Sequence, residues 1–169
     1  MIAGSAEAKQ TVDPFLKGIG RATIDLGDKA RLASVLKLTG NFMIVGIIEL
    51  LAESMTFADT NGISRDQYLQ LVNVFFPAPA ITGYAGRMAR DDFSTNGGKD
   101  GFSIMGGIKD ASLVKSVADL VGSKVDIVEI ALKRLKKQSD KNVKDQDWAA
   151  LAEVVREVRM CCCNVTLVT

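Results

Sequence analysis

An all-α fold built around one long central helix is what this sequence predicts, on three observations. Residues 28–59 contain no proline and hold helix-compatible sequence almost without a break. Further amphipathic stretches follow at helical spacing, separated by loops punctuated with Gly, Pro, Asn and Asp. Only one short segment alternates like a strand, and 169 residues with 47% apolar and 24% charged side chains suffice for one main core.

Taken in order, residues 5–20 set Ala6, Ala8, Val12, Phe15, Leu16 and Ile19 on a helical stripe that Pro14 interrupts, so one broken helix or two short ones are expected. Ala22-Thr23-Ile24-Asp25-Leu26-Gly27 is alternating and β-branched and predicts one short strand. A lone strand leaves backbone groups unpaired, so its sheet is expected from sequence upstream. Asp28 is placed to cap the long helix, which ends just before Asn61-Gly62. Roughly thirty helical residues make a rod of about 45 Å. Within it Phe42-Met43-Ile44-Val45-Gly46-Ile47-Ile48 is apolar on every face, so other helices have to enclose it, some of them from a second subunit. Lys37, Asn41, Glu49 and Glu53 interrupt the run of about 20 apolar residues that a membrane span needs, and no membrane is expected as a partner.

Ser64 caps a helix to about Phe75; Pro77-Ala78-Pro79 ends it, and a helix from Ala80 to about Arg90 follows, with Tyr84 and Met88 one turn apart. Residues 92–107 read as a loop closed by Gly106-Gly107, after which Asp110 is placed to cap a helix reaching Leu120-Val121-Gly122. Residues 125–137 and 147–160 supply two more helices, the latter with Trp148, Leu151, Val154, Val155 and Val158 on one face.

Composition removes several function classes. The chain has no histidine, which excludes Ser-His-Asp and Cys-His catalysis, His-ligated zinc and a histidine pH switch. Twenty-one Lys plus Arg against 20 Asp plus Glu leave +1, so no overall field favours nucleic acid. Cys161-Cys162-Cys163 are consecutive and give neither a disulfide framework nor metal-ligand spacing; no metal site is expected. The N-terminus lacks the charged and apolar regions of a secretory signal, so a reducing, cytoplasmic location is expected and the acceptor pattern at Asn164 is of no consequence.

Four constellations could carry chemistry. Lys37 and Asn41 are four residues apart, so they share a helix face at the start of the most apolar stretch; a partly buried lysine exchanges a proton near neutral pH and the amide can hold a substrate oxygen. A solvated polar pair fits the same spacing. Glu49 and Glu53 repeat that spacing and read as a polar stripe pairing with basic residues on packed helices. Lys109-Asp110, following Gly106-Gly107, reads as a helix start where a lysine and backbone N–H groups could meet an anion, or as an ordinary cap. The basic stretch from Lys133 to Lys137, with Lys141 and Lys144, reads as cations at a helix C-terminus. Gly18-Ile19-Gly20 precedes a strand instead of following one, so it is no dinucleotide-binding loop.

The order of short motifs is more specific than any of them. Gly4-Ser5-Ala6-Glu7, Thr23-Ile24-Asp25-Leu26-Gly27, Leu36-Lys37-Leu38-Thr39-Gly40-Asn41, Glu53, Gly62, Phe102 with Ile108-Lys109-Asp110, and Asp147-Trp148-Ala149-Ala150-Leu151 together resemble the second half of the β-hydroxyacid dehydrogenase family, from about Gly4 to about Val158. That family includes the 3-hydroxyisobutyrate and 6-phosphogluconate dehydrogenases. The resemblance implies a 6-phosphogluconate-dehydrogenase-like helical C-terminal domain over residues 28–160, a remnant of the end of an NAD(P)-binding Rossmann domain over residues 1–27, and an atypical tail over 161–169. It implies an NAD(P)-dependent oxidoreductase acting on a small hydroxyacid or semialdehyde as a homodimer. Lys37 matches the family's general acid or base, Asn41 its substrate-orienting amide, and Lys109 with Asp110 its cofactor-side pair. The glycine-rich loop would lie upstream, so this chain by itself is expected to be inactive. Arg31-Leu32-Ala33 stands where relatives carry GxG, which narrows the space beside the helix. A non-catalytic helical assembly module is the alternative.

Overall fold

The computed structural model describes the backbone of residues 1–162 and the side chains of residues 1–157. Seven α-helices and one turn of 3-10 helix make up the described chain, which divides into two compact units, Met1–Asn41 and a second beginning at Phe42. Of the expected tail, only the backbone of Cys161 and Cys162 is described, as the end of the last helix; Cys163 and Asn164 lie outside the described residues.

In the first unit, α1 (Ala6–Ile19) starts on the Ser5 hydroxyl, which accepts from the Ala8 N–H at 3.2 Å. Pro14 lies inside it without breaking it, contrary to the expected interruption. The helix buries no residue, so the carbonyl that loses its partner to Pro14 belongs to Gln10, which is exposed and can be met by water. The expected strand is reduced to a single parallel bridge between Ile2 and Asp25, and its partner is the segment ahead of α1. Leu26 donates to the Ile2 carbonyl, and Ile2 and Gly4 donate to those of Ile24 and Gly27, each at 2.9 Å. The Lys9 ammonium fastens the turn, 2.9 Å from the Asp25 carboxylate, which it holds below the usual carboxylate range.

The long helix α2 (Arg31–Thr60) has 30 residues, as the sequence implies, but begins three residues after Asp28: Leu32 and Ala33 donate to the carbonyls of Lys29 and Ala30 in its opening turn. In the second unit it buries Val45, Ile48, Leu51, Ala52 and Met55, one stripe at helical spacing. The opposite side is not enclosed as the sequence suggests: Met43, Leu50 and Phe57 are exposed. By length and composition α2 could cross a membrane, yet Glu49, inside its apolar run, is buried against Arg134 of a neighbouring helix, as a core helix requires.

The rest of the second unit consists of α3 (Arg65–Phe75), α4 (Pro79–Arg90), α5 (Ile104–Val121), α6 (Asp126–Ser139), the 3-10 turn Trp148–Ala150 and α7 (Leu151–Cys162). A full capping box opens α3, with the Ser64 hydroxyl accepting from the Gln67 N–H and the Gln67 side chain accepting from the Ser64 N–H. Pro79 occupies the first turn of α4, where a missing N–H costs nothing. Helix α5 packs on α6 and α6 on α7, while α3 pairs with α4. Met88, Val128, Leu135 and Leu151 are fully buried in the unit's core.

Asp91 ties the ends of three helices. It adopts the left-handed conformation that terminates α4, with φ of 53°, and accepts from Arg65 of α3 at 2.8 Å and from Arg156 of α7. Burial acts to raise its pKa, but the two guanidinium bonds outweigh it and the net shift is downward. A lowered carboxylate pKa means stability that is complete above the unfolded value of about 4 and is lost as pH falls through the lower folded value. Asp91→Asn keeps a residue that tolerates the left-handed backbone and removes the charge. Its urea midpoint should fall below that of the parent at pH 7, and the gap should shrink at pH 3; an equal gap at both pH values would contradict the assignment.

Candidate active site

Lys37 and Asn41 lie one turn apart on α2, at the end of the first unit, as their spacing requires. Their surroundings differ from expectation. Asn41 is half-buried, but Lys37 is exposed, because the buried stripe of α2 starts only at Val45, two turns further on. Both side chains take part in interactions within the chain.

Lys109 and Asp110 belong to the second unit, and here the local reading is overturned. Helix α5 begins at Ile104, with the Ser103 hydroxyl accepting from the Gly106 N–H at 3.1 Å, so Ser103 and not Asp110 is the cap. Gly106 and Gly107 therefore lie inside the first turn of a helix. They are there for space: a Cβ on Gly106 would stand 2.8 Å from the Phe102 ring, and one on Gly107 would stand 3.0 Å from the Trp148 Cβ. Asp110 is fully buried in the second turn, and Lys109 is exposed beside it with its ammonium 2.9 Å from the Asp110 carboxylate. The pair is thus a lysine held at the surface by a buried counter-charge, not a residue at a helix N-terminus.

Asp147 ties the segment ahead of α5 to the 3-10 turn. Its carboxylate accepts from the Phe102 N–H at 2.6 Å and from the Ala149 N–H at 2.8 Å, and it occupies the space a side chain at Gly101 would need. Burial pushes its pKa up in spite of these two bonds. The Phe102 ring meets Trp148 edge-on at 4.9 Å, and the Trp148 indole N–H donates to the Tyr84 hydroxyl at 2.9 Å. Nothing near Asp147 in the sequence signals the bond to Phe102, which only the fold brings within reach.

This packing gives a stability prediction. Gly107→Ala drives a methyl group against the Cβ of Trp148, an atom that moves only with the backbone. A loss of about 1–3 kcal/mol is expected from overpacking, read as a lower urea midpoint; a midpoint equal to the parent's would show that the two helices separate freely there.

The remaining constellations are structural. Glu49 and Glu53 both pair with Arg134 of α6, the latter at 2.7 Å, as the polar-stripe reading expects. In the basic stretch Lys137 is 3.3 Å from Glu157 and Lys141 pairs with the same carboxylate. Gly20 ends α1, its N–H bonded to the Leu16 carbonyl at 3.1 Å, so Gly18-Ile19-Gly20 closes a helix where a pyrophosphate cradle must open one. Among the described residues there is no group of three or more His, Cys, Asp or Glu side chains that could hold a metal.

No family model matches the chain. It is 30% identical over 154 residues to the uncharacterized oxidoreductase YfjR of Bacillus subtilis, covering 91% of this chain and 52% of that protein. It is 29% identical, also over 154 residues, to the NADH-dependent oxidoreductase ucdB of Aspergillus ustus, covering 51% of it. The chain thus spans about half the length of these curated relatives and corresponds to their C-terminal part. Among solved structures it superposes on a 3-hydroxyisobutyrate dehydrogenase of Salmonella typhimurium with a TM-score of 0.79 at 18% identity, over 90% of this chain and 52% of that one. It also superposes on the 3-hydroxyisobutyrate dehydrogenase of Mycobacterium tuberculosis with a TM-score of 0.76 at 19% identity, over 92% of this chain and 54% of that one. The fold is therefore the helical C-terminal domain of 3-hydroxyisobutyrate dehydrogenase-like structures.

Proposed function

We propose that this chain is the C-terminal half of an NAD(P)-dependent oxidoreductase of the β-hydroxyacid dehydrogenase family, cytoplasmic and homodimeric, acting on a small β-hydroxyacid or the matching semialdehyde. One observation carries the reading: a chain of this fold, related over 154 residues to two oxidoreductases, presents a lysine and an amide one turn apart on its long helix, with a second lysine held by a buried aspartate on α5. We assign residues 1–27 to the end of a dinucleotide-binding domain and residues 28–160 to the helical domain.

In this reading the Lys37 amine takes the proton from the substrate hydroxyl oxygen as the carbonyl forms, and returns it in reduction. The Asn41 carboxamide bonds a substrate oxygen and fixes the carbon that exchanges hydride. NAD(P) supplies the hydride chemistry. The described residues do not fit its pyrophosphate, since the one Gly-x-Gly stretch terminates α1; Lys109, anchored by Asp110, is assigned to the cofactor side of the substrate. A helical assembly module without catalysis is the second reading, favoured by the exposure of Lys37 and by Arg31-Leu32-Ala33 where the family resemblance implies Gly-x-Gly.

The experiment compares the 169-residue chain with the same chain joined behind the N-terminal half of the Bacillus subtilis relative. With NADH or NADPH and small semialdehydes, the chain alone should consume no cofactor and the joined protein should turn over. A folded joined protein that consumes no cofactor with any of them would favour the assembly module.

A further inference from the structure

We propose that the cleft between α4 and Gly101 binds a small oxyanion, a carboxylate or a phosphate group, through Arg87 and Tyr84. The site goes beyond the dehydrogenase reading, since all its residues belong to the second unit and none of them is Lys37, Asn41 or Lys109. Pro79, Ala80, Gly83, Tyr84 and Arg87 recur at helical spacing along one stripe of α4, and Gly101 closes the far side of a cleft of about 200 Å³. That falls below the roughly 300–1,000 Å³ of a site for a drug-sized molecule and suits a ligand of a few heavy atoms.

The polar groups at the cleft are donors. Arg87 is half-buried, and its Nη1 donates to the Ser94 carbonyl at 3.1 Å and to that of Asp92 at 3.4 Å, which fixes the plane of the guanidinium. Among the described residues it makes no other hydrogen bond and no ion pair, so Nε and Nη2 are left to donate. Asp147, whose carboxylate feels the Arg87 charge, is committed instead to the N–H groups of Phe102 and Ala149. The Tyr84 oxygen accepts the Trp148 indole N–H at 2.9 Å, so its own hydrogen is left to donate, and burial pushes its pKa up and keeps that hydrogen in place. No side chain caps α4 at Ala78, so the positive end of its backbone adds to the field. A guanidinium held in plane matches an oxyanion, whereas a cation would find no acceptor aimed at it.

Gly83 is the independent sign. A glycine inside a helix is destabilising relative to alanine, and a Cβ at Gly83 would meet no atom within 4 Å, so packing within the chain does not require it. What its missing side chain provides is room for a ligand to approach the backbone beside Tyr84 and Arg87. Across the cleft, a Cβ on Gly101 would stand 3.4 Å from the guanidinium carbon of Arg87, so that wall too is thin where the cation lies.

Trp148, the one tryptophan of the chain, reports on the cleft through its bond to Tyr84. Its fluorescence in the 169-residue chain is to be titrated with inorganic phosphate, with succinate and, at matched ionic strength, with sodium chloride. A saturating change is expected with phosphate, succinate or both, and none with chloride; which of the two acts identifies the preferred group. Arg87→Gln should weaken the binding at least about tenfold, as loss of a charged hydrogen-bond donor does. Gly83→Leu fills the cleft from a position with open space before it, so it should abolish the saturating change while keeping or raising the urea midpoint. That variant stands as the test if Arg87→Gln, which also releases the Ser94 carbonyl, fails to fold. Arg90→Gln, at an exposed arginine of α4 off the cleft, should bind as the parent does. No saturating change in the parent, an equal response to chloride, saturation undiminished in Gly83→Leu, or an equal loss in Arg90→Gln would each overturn the proposal. The readout needs no turnover, so it stands apart from the outcome for the joined protein.

Discussion

Arg134→Ala is expected to lower the stability of the helical unit by about 3–5 kcal/mol. Glu49 sits almost wholly buried on the apolar stretch of α2, and beyond the Arg134 guanidinium neither of its carboxylate oxygens has a hydrogen-bond partner among the described residues. Deleting the arginine leaves a carboxylate in the interior without a counter-charge, whose burial costs several kcal/mol unless it takes up a proton. Glu53, half exposed, reaches the same guanidinium at 2.7 Å and loses far less, because water takes the place of the arginine. Urea denaturation measures the difference. The combined replacement of Glu49 by Leu and Arg134 by Met should recover most of the loss, since a buried pair exchanged for apolar side chains of similar volume is often neutral. A loss below about 1 kcal/mol for Arg134→Ala would mean that Glu49 is hydrated and that α2 is less firmly seated on α6 than its burial indicates.

The second large effect is on catalysis. In the joined protein, Lys37→Ala should reduce kcat by about 10²–10⁴-fold, the range in which a positioned acid or base contributes. Asn41→Ala should act more on KM, because an amide that holds the substrate contributes binding in the ground state as well as in the transition state. Lys37 is exposed in this chain, so its replacement leaves no cavity and should keep the urea midpoint. That separation of activity from stability makes the lysine a sharper probe than Asp110, which is buried and whose loss would disturb both.

Much of this was legible in the sequence because local rules and fold agree along most of the chain. The length of α2, the Ser64 capping box and the breaks at Pro77 and Pro79 are set by residues a few positions apart, and they lie where the pattern puts them. The failures occur where a distant contact decides. Gly106-Gly107 signals a loop by every local rule, yet the pair lies within a helix because Phe102 and Trp148 fill the space of its missing side chains. Pro14 was expected to break a helix and does not, since the carbonyl it orphans faces solvent. The uniform apolarity around residues 42–48 suggested enclosure on all sides. Periodicity tells which residues are apolar, not how much of the helix the other helices of the chain cover.

For the candidate site, spacing brought Lys37 and Asn41 together and the structure keeps them on one helix, but it does not give Lys37 the burial that would by itself mark it as reactive. Gly106-Gly107 suggests that Lys109 stands at a helix start, whereas it lies within α5 and pairs with a buried aspartate. The sequence marks Asp147 as the start of a helix and of the Asp147–Leu151 motif, with no role of its own. Its bond to Phe102 joins segments far apart in the chain, and no local pattern encodes it.

The most direct measurement is cofactor consumption by the joined protein carrying Lys37→Ala, run beside Lys99→Ala, a change at another exposed lysine that lies in the loop before α5. The first variant should lose at least about a hundredfold in kcat, and the second should stay within about twofold of the parent. Equal rates in the two, in proteins of unchanged helical content, would contradict the assignment of proton exchange to the long helix.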